Sequence, residues 1–121
     1  MPGQCRVVLL VEDQPLLRID TADILERAGF AVVEASTTVG AISLLETRPD
    51  ICLVLADVDM PHGEDGMLFA ATIRRCWPSI EIIVLSNLRE AQLPELPVRA
   101  RHLTKPVAPE RLVAAINQMA P

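Results

Sequence analysis

The chain has 121 residues, a formal net charge of −5 at pH 7 and a composition in which 50% of the residues are hydrophobic. This length suits one domain with its own core, and the hydrophobic content excludes a disordered chain. The net negative charge does not indicate a basic surface for nucleic-acid binding. No apolar stretch is long enough to span a bilayer. The first residues lack the features of a secretory signal, and the three cysteines lack metal-ligand spacing, so we expect a cytoplasmic location and reduced thiols.

Five strand-like runs alternate with helical patterns along the chain. The runs cover residues 7–11, 30–35, 51–56, 82–85 and 99–104. Nearly continuous apolar runs of this length are typical of parallel strands covered on both faces, and the alternation with helices is typical of βαβ units. The second and fifth runs contain charged residues, which favour sheet edges. The sequence therefore predicts a doubly wound, flavodoxin-like three-layer α/β sandwich with a five-stranded parallel sheet in the order 2-1-3-4-5.

Helical spacing predicts which residues of the first helix face the core. Leu17, Thr21, Ile24 and Ala28 recur on one face, and Gly29 ends the pattern. The second helix is expected over residues 38–47 and the third over residues 66–76, with Cys76 on its buried side and the Arg74–Arg75 pair on its solvated face. The last helix begins after Ala108, with Pro109 well placed in a first turn.

The segment between the fourth and fifth strands has a weak helical pattern. Pro94 and Pro97 interrupt it, and a proline inside a helix removes one hydrogen bond and clashes with the preceding turn. The sequence therefore predicts a shortened or irregular fourth helix between Ser86 and Lys105.

Chemically capable side chains follow four of the strands. Glu12 and Asp13 follow the first strand, Asp57 and Asp59 the third, Ser86 the fourth and Lys105 the fifth. Ligands of doubly wound sheets bind outside the carboxyl ends of the strands, where the strand order reverses, so Glu12, Asp13 and Asp57 are expected to meet there. Converging carboxylates repel one another, and Mg²⁺ with oxygen ligands relieves that repulsion.

The lysine and the serine complete a set suited to phosphoryl chemistry. Lys105 can hold a phosphoryl oxygen as a point charge, and the Ser86 hydroxyl adds a neutral hydrogen bond. Phosphoryl transfer depends mostly on positioning and on neutralising charge, which a carboxylate, Mg²⁺, a hydroxyl and an ammonium group together supply. One carboxylate would act as the nucleophile and form an acyl phosphate.

Four motifs in this order resemble those of bacterial response-regulator receiver domains. They are Val11-Glu12-Asp13, Asp57-Val58-Asp59-Met60-Pro61 with Gly66, Leu85-Ser86 and Lys105-Pro106. The resemblance spans essentially the whole chain and implies a single receiver domain over residues 1–121. It implies that Asp57 accepts a phosphoryl group from a histidine kinase or a histidine phosphotransfer protein, with no turnover of a separate substrate.

The resemblance also implies a Mg²⁺ site. Asp13 would bind the ion directly and Glu12 often through water. Asp57 and the backbone carbonyl of Asp59 would complete the protein ligands.

Ser86 matches the switch hydroxyl of the family, and Lys105 matches the phosphate-binding lysine, often followed by a cis proline bond as at Pro106. His102 stands where the family usually has the Tyr or Phe of an aromatic switch, and Asn87 where it usually has Ala or Gly. We expect output through the irregular segment that contains Asn87, Leu88, Pro94 and Pro97.

Two other functions are open at this point. A phosphorylation-independent interaction module would be indicated by loss of Asp57, Asp13 or Lys105, and all three are present. Phosphatases of the haloacid-dehalogenase type share the Asp57-Val58-Asp59-Met60 pattern, but their acidic pair follows the lysine, whereas Glu12 and Asp13 precede it. In the receiver hypothesis the downstream target is an unidentified protein, and the domain is a monomer or weak dimer, either standing alone or cut from a longer regulator or hybrid kinase.

Overall fold

The structure, a computed structural model, describes residues 6–59, 66–88 and 96–119. Pro94 and most of the predicted irregular helix lie outside the described residues. In the part of that segment that is described, the Ala100 amide donates to the Pro97 carbonyl at 3.0 Å, and a turn leads into the last strand.

Five parallel strands form one sheet in the order 2-1-3-4-5, which confirms the predicted fold. The strands are β1 (Val7–Val11), β2 (Ala31–Ala35), β3 (Leu53–Asp57), β4 (Glu81–Ser86) and β5 (Ala100–Thr104). The helices are α1 (Pro15–Arg27), α2 (Thr38–Thr47), α3 (Gly66–Cys76) and α4 (Pro109–Met119). None of these helices, within the described residues, has the length and apolar character that a membrane span requires.

Both faces of the sheet are covered, as the apolar strands require. Alternate residues of each strand point to opposite faces, so Leu9 and Val54 pack with α2 and α3, whereas Val8 and Leu53 pack with α1 and α4. All five residues of β3 are buried, because this strand lies in the middle of the sheet. Burial of each large aliphatic side chain stabilises the fold by about 1.5–3 kcal/mol, and this central strand therefore gives the site a rigid base.

The predicted core face of α1 is right only in part, since Thr21 and Ile24 are half-buried. The buried residues of this helix are Ala22 and Leu25, whereas Leu17 is 46% exposed and Ala28 is exposed. Apolar residues lie on more than one side of α1, so the spacing of apolar residues along the helix is compatible with either of two adjacent buried faces. Leu25 packs in the core cluster that contains Val8 and Leu53, and this contact decides which face is buried. Gly29 does follow the helix, with a positive φ of 98° that favours glycine.

Two cysteines differ from expectation. Cys76 is free but exposed, because it lies at the last residue of α3, beyond the buried stripe that ends at Ile73. Cys52 is disulfide-bonded, so the prediction of a reduced thiol is wrong for this residue. An odd number of cysteines leaves one free but does not prevent a pair among the others.

Candidate functional site

The hydrogen-bond ladder of the sheet continues into the loops that hold the candidate residues. Amide groups just beyond three strands donate to carbonyls of the neighbouring strand: Glu12 to Ala35 at 3.0 Å, Val58 to Leu85 at 2.9 Å, and Lys105 to Ser86 at 2.8 Å. These bonds fix the backbone of the site with the same geometry that fixes the sheet. The peptide bond between Lys105 and Pro106 is cis, as the resemblance implied.

Asp57 and Lys105 form the central contact of the site. Asp57 is the last residue of β3 and only 4% exposed, and its Oδ2 accepts from Lys105 Nζ at 2.7 Å. Burial lowers the pKa of Lys105, but the hydrogen bonds and charges of Asp57 and Asp59 outweigh it, so this pKa lies above its ordinary value. The lysine is therefore a permanent positive charge beside the buried carboxylate at neutral pH.

Asp59 connects Asp57 to the next strand end. Its backbone amide donates to Oδ1 of Asp57 at 2.8 Å. Its carboxylate oxygen Oδ2 accepts from the Asn87 amide at 2.6 Å and lies 3.2 Å from Lys105 Nζ. Both oxygens of Asp57 thus have donors, and a second carboxylate shares the lysine.

Glu12 lies on the other side of Asp57 and is 7% exposed. Burial raises the pKa of Glu12 to about 7; the amide of Gln14, at 3.1 Å, opposes this, and interactions with Asp57 and Asp13 add to it. Four carboxyl groups, those of Glu12, Asp13, Asp57 and Asp59, thus lie close to Lys105 or to one another. Asp13 is half-buried beside Glu12.

Ser86 and His102 form a second contact next to this cluster. Ser86 is fully buried, and its Oγ lies 3.0 Å from His102 Nε2 and accepts from the Leu88 amide at 3.0 Å. The Leu88 carbonyl in turn accepts from Thr104 at 3.4 Å. The switch candidates predicted from sequence, Ser86 and His102, are thus in direct contact, and Ser86 also pairs with the start of the segment after β4.

Gly66 is the glycine of the second motif, and the structure explains its size. A Cβ at this position would lie 2.6 Å from the Cα and Cβ of Val58, which is closer than real Cβ contacts. The start of α3 therefore approaches the residue after Asp57 more closely than any side chain permits.

Two arginines, Arg18 and Arg74, hold backbone groups in contacts that the sequence did not predict. Arg18 donates to the Glu12 carbonyl at 2.9 Å and pairs with Glu34 at 3.3 Å, which ties the first acidic residue to β2. Arg74 does not lie on a solvated face: it donates to the carbonyls of Val98, Pro78 and Ile80 at 2.7–2.9 Å.

The hydrogen-bond acceptors of these arginines are backbone carbonyls. Because every residue has such a carbonyl, no sequence pattern predicts these contacts. Arg75 is exposed, as expected. Arg99 has a positive φ of 64°, donates to the Pro78 carbonyl and pairs with Glu81 at 3.6 Å.

The metal prediction is not tested by these contacts. Within residues 6–59, 66–88 and 96–119, no group of three or more His, Cys, Asp or Glu residues forms a ready metal cluster.

A family model described as the response regulator receiver domain matches residues 8–117. This chain belongs to that family. The match confirms the family expected from the four motifs. Receiver domains are signalling domains of two-component systems.

Curated relatives of this receiver domain differ in length. The transcriptional regulatory protein PdtaR of Mycobacterium tuberculosis is 37% identical over 122 residues, which cover 93% of this chain and 55% of that protein. The probable C4-dicarboxylate response regulator DctR of Halalkalibacterium halodurans is 32% identical over 117 residues, covering 92% of this chain and 50% of that protein. Chemotaxis protein CheY of Thermotoga maritima is 31% identical and covered over 95% of its length. The receiver domain thus spans about half of PdtaR and DctR.

Solved structures agree with the fold. A response regulator receiver protein from Sinorhizobium medicae is 26% identical, with a TM-score of 0.80 and coverage of 96% of this chain and 94% of that one. Response regulator protein TrrA from Thermotoga maritima, in complex with Mg(2+)-BeF, has a TM-score of 0.84 at 22% identity and covers 94% of this chain and 98% of that one. At this identity the second likeness concerns the fold alone.

Proposed function

We propose that this receiver domain accepts a phosphoryl group on Asp57 from a histidine kinase or a histidine phosphotransfer protein. The observation that supports this most directly is the Asp57–Lys105 contact: a carboxylate 4% exposed at the end of the central strand, 2.7 Å from a charged ammonium group. A nucleophile in this setting has its counter-charge already in place for the oxygens of the incoming group.

The chemical step transfers the phosphoryl group from a donor imidazole to the Asp57 carboxylate. One oxygen of Asp57 attacks phosphorus, the bond from phosphorus to the donor nitrogen breaks, and its electron pair stays with the imidazole of the donor. The product is an acyl phosphate on Asp57. Lys105 balances the charge of the transferred group, and the Asp59 amide keeps one oxygen of Asp57 oriented at 2.8 Å.

The residues present fit a Mg²⁺ ion. Burial raises the pKa of Glu12 to about 7 and interactions with Asp57 and Asp13 add to the rise, so a divalent cation beside these groups would favour their ionised forms. Mg²⁺ typically uses one or two carboxylates and several waters, so a cluster of three ligands is not required. Asp13, Asp57 and the Asp59 carbonyl would hold the ion, with Glu12 acting through water. When bound, Mg²⁺ would supply further positive charge for the transferring phosphoryl group.

We further propose that the phosphorylated domain signals to a protein through the segment after β4. Asn87 and Leu88 pair with Asp59 and Ser86, so a change at the acceptor reaches this segment directly. In this role we expect no turnover of a separate substrate and no direct binding of nucleic acid, and we expect the protein to act in the cytoplasm.

The test is intact-mass spectrometry after incubation with acetyl phosphate and Mg²⁺. We expect one labile adduct of phosphate mass on the wild type, none on Asp57→Asn, and an undiminished adduct on Asp50→Asn, an exposed aspartate far from the site. Chelation of the metal should reduce adduct formation. An adduct that persists in Asp57→Asn would move the acceptor elsewhere, and a folded wild type without any adduct would favour the phosphorylation-independent module.

A further inference from the structure

One oxygen atom of Asp59 lies between two donors of the candidate site. Its Oδ2 accepts from the Asn87 amide at 2.6 Å and lies 3.2 Å from Lys105 Nζ. The same ammonium group is 2.7 Å from Oδ2 of Asp57. A carboxylate that belongs to the chain thus occupies a small anion-binding site directly beside the acceptor.

A phosphoryl group on Asp57 needs donors in this same place. It adds roughly −1.5 to −2 charge and three strong acceptor oxygens. Of the nearby amides, that of Asp59 is already bonded to Asp57 and that of Leu88 to Ser86. Besides the Ser86 hydroxyl, the Asn87 amide and Lys105 are described donors near the acceptor, and both contact Asp59.

We propose that the Asp59 carboxylate competes with the phosphoryl group for the same donors. When Asp57 is modified, the Asp59 carboxylate must leave the Asn87 amide. This inference rests on the proposed function, since it assumes that Asp57 becomes charged with a phosphoryl group. Competition has two parts: the contacts of Asp59 must break, and its charge repels the incoming anion. Asp59 therefore sets how tightly the site holds a phosphoryl group.

The local geometry lets the side chain leave without moving the backbone. The side chain of Asp59 is 26% exposed, against 4% for Asp57, so it has access to solvent. The amides of Val58 and Asp59 are held by Leu85 and Asp57 at 2.9 and 2.8 Å. Rotation about the side-chain bonds of Asp59 is thus enough to free the Asn87 amide and to break the Asp59–Lys105 contact.

The first experiment measures binding of beryllofluoride, a phosphoryl mimic, at saturating Mg²⁺ by calorimetry and ¹⁹F NMR. We expect Asp59→Ala to bind it up to about fivefold more tightly than the wild type, the range for breaking a partly exposed ionic contact. Asp59→Asn, which keeps the shape but not the charge, should lie between them. Asp50→Asn removes the same charge from an exposed loop and should match the wild type. Mg²⁺ affinity is measured separately for each variant, so that an effect on the metal is not mistaken for competition.

Equal or weaker binding by Asp59→Ala would overturn the competitor role, and so would failure of both proteins to bind the mimic. In that last case the proposed function would fail as well. Phosphorylation of the wild type with no gain in Asp59→Ala would overturn the competitor role alone.

A second readout uses the metal-free protein and needs no anion. The Asn87 amide proton should be protected from exchange in the wild type and in Asp50→Asn, and lose protection in Asp59→Ala. Unchanged protection in Asp59→Ala would show that Asp59 does not hold this amide.

Discussion

Ser86 Oγ and His102 Nε2 lie 3.0 Å apart, and this contact joins β4 to β5 at the site edge of the sheet. The serine oxygen also accepts from the Leu88 amide, at 3.0 Å. A phenylalanine at position 102 could not make the first of these bonds. If Ser86 turns toward a phosphoryl group on Asp57, loss of the His102 contact and movement of Leu88 become parts of one event.

His102→Phe should therefore make the phosphorylated form easier to reach. A neutral hydrogen bond contributes about 0.5–1.5 kcal/mol, so we expect beryllofluoride to bind about twofold to tenfold more tightly. Calorimetry on Ser86→Ala, His102→Phe and the double variant checks this, because the effects of residues in contact do not add. Strictly additive effects would mean that the contact has no energetic role.

Asp13 and Glu12 should differ in their effect on Mg²⁺. Asp13→Asn removes a direct ligand in the proposed site, whereas Glu12→Gln removes a group that acts through water, so the first variant should lose more affinity. Calorimetric titration of both variants with Mg²⁺ measures the difference. Equal losses would contradict this division of roles.

The metal-free protein should lose stability as the pH rises from about 4.5 to about 7. Burial raises the pKa of Glu12 to about 7 from its ordinary 4.5, so the folded state binds this proton more tightly than the unfolded state does. The resulting stabilisation is complete below the unfolded pKa and is lost as the pH rises through the folded one. Urea unfolding across this range, with Glu12→Gln as the comparison, tests the assignment. A decline of the same size in Glu12→Gln would assign it to another group.

Arg74→Met should destabilise the fold by about 1–3 kcal/mol, because it removes hydrogen bonds from a charged group to the carbonyls of Val98, Pro78 and Ile80, the last of them part-buried. Arg75→Met is a matched control, since the neighbouring arginine is exposed and such substitutions usually change stability by less than about 0.5 kcal/mol. Urea denaturation of both variants gives the comparison. Similar losses in the two would mean that the three carbonyl contacts of Arg74 add nothing.

Beryllofluoride should change amide hydrogen exchange mainly between β4 and β5. Asn87 and Leu88 pair with Asp59 and Ser86, whereas Arg74 holds the other end of this segment at Val98. We expect altered protection at residues 87–98 and little change in α2 and α3. Changes confined to those two helices would refute this route of signalling.

Much of this fold follows from local patterns. Apolar runs predicted the strands and charged residues in two of them their order, while helical spacing placed α2 and α3 at the observed bounds and Pro109 marked the start of α4. The site residues were predicted because parallel strands bring their carboxyl ends to one edge, and the structure does join Asp57 to Lys105 there. Their chemical roles remain predictions.

What the sequence did not show depends on tertiary contacts. The buried stripe of α1 was partly misassigned because two adjacent stripes are apolar, and only packing of Leu25 distinguishes them. Arg74 binds backbone carbonyls, to which any residue type could belong. The contact of Asp59 with the Asn87 amide depends on the shapes of two loops 28 residues apart along the chain.

The ladder bonds beyond the strands have a consequence for how the domain can open. The amides of Glu12, Val58 and Lys105 are held by neighbouring strands, so these backbone positions cannot separate without breaking pairs at the end of the sheet. Regions held in this way open only at a free energy close to that of the whole domain, unlike loops that fray alone. The backbone that positions Asp57 and Lys105 is thus part of the cooperative unfolding unit and shares its melting transition.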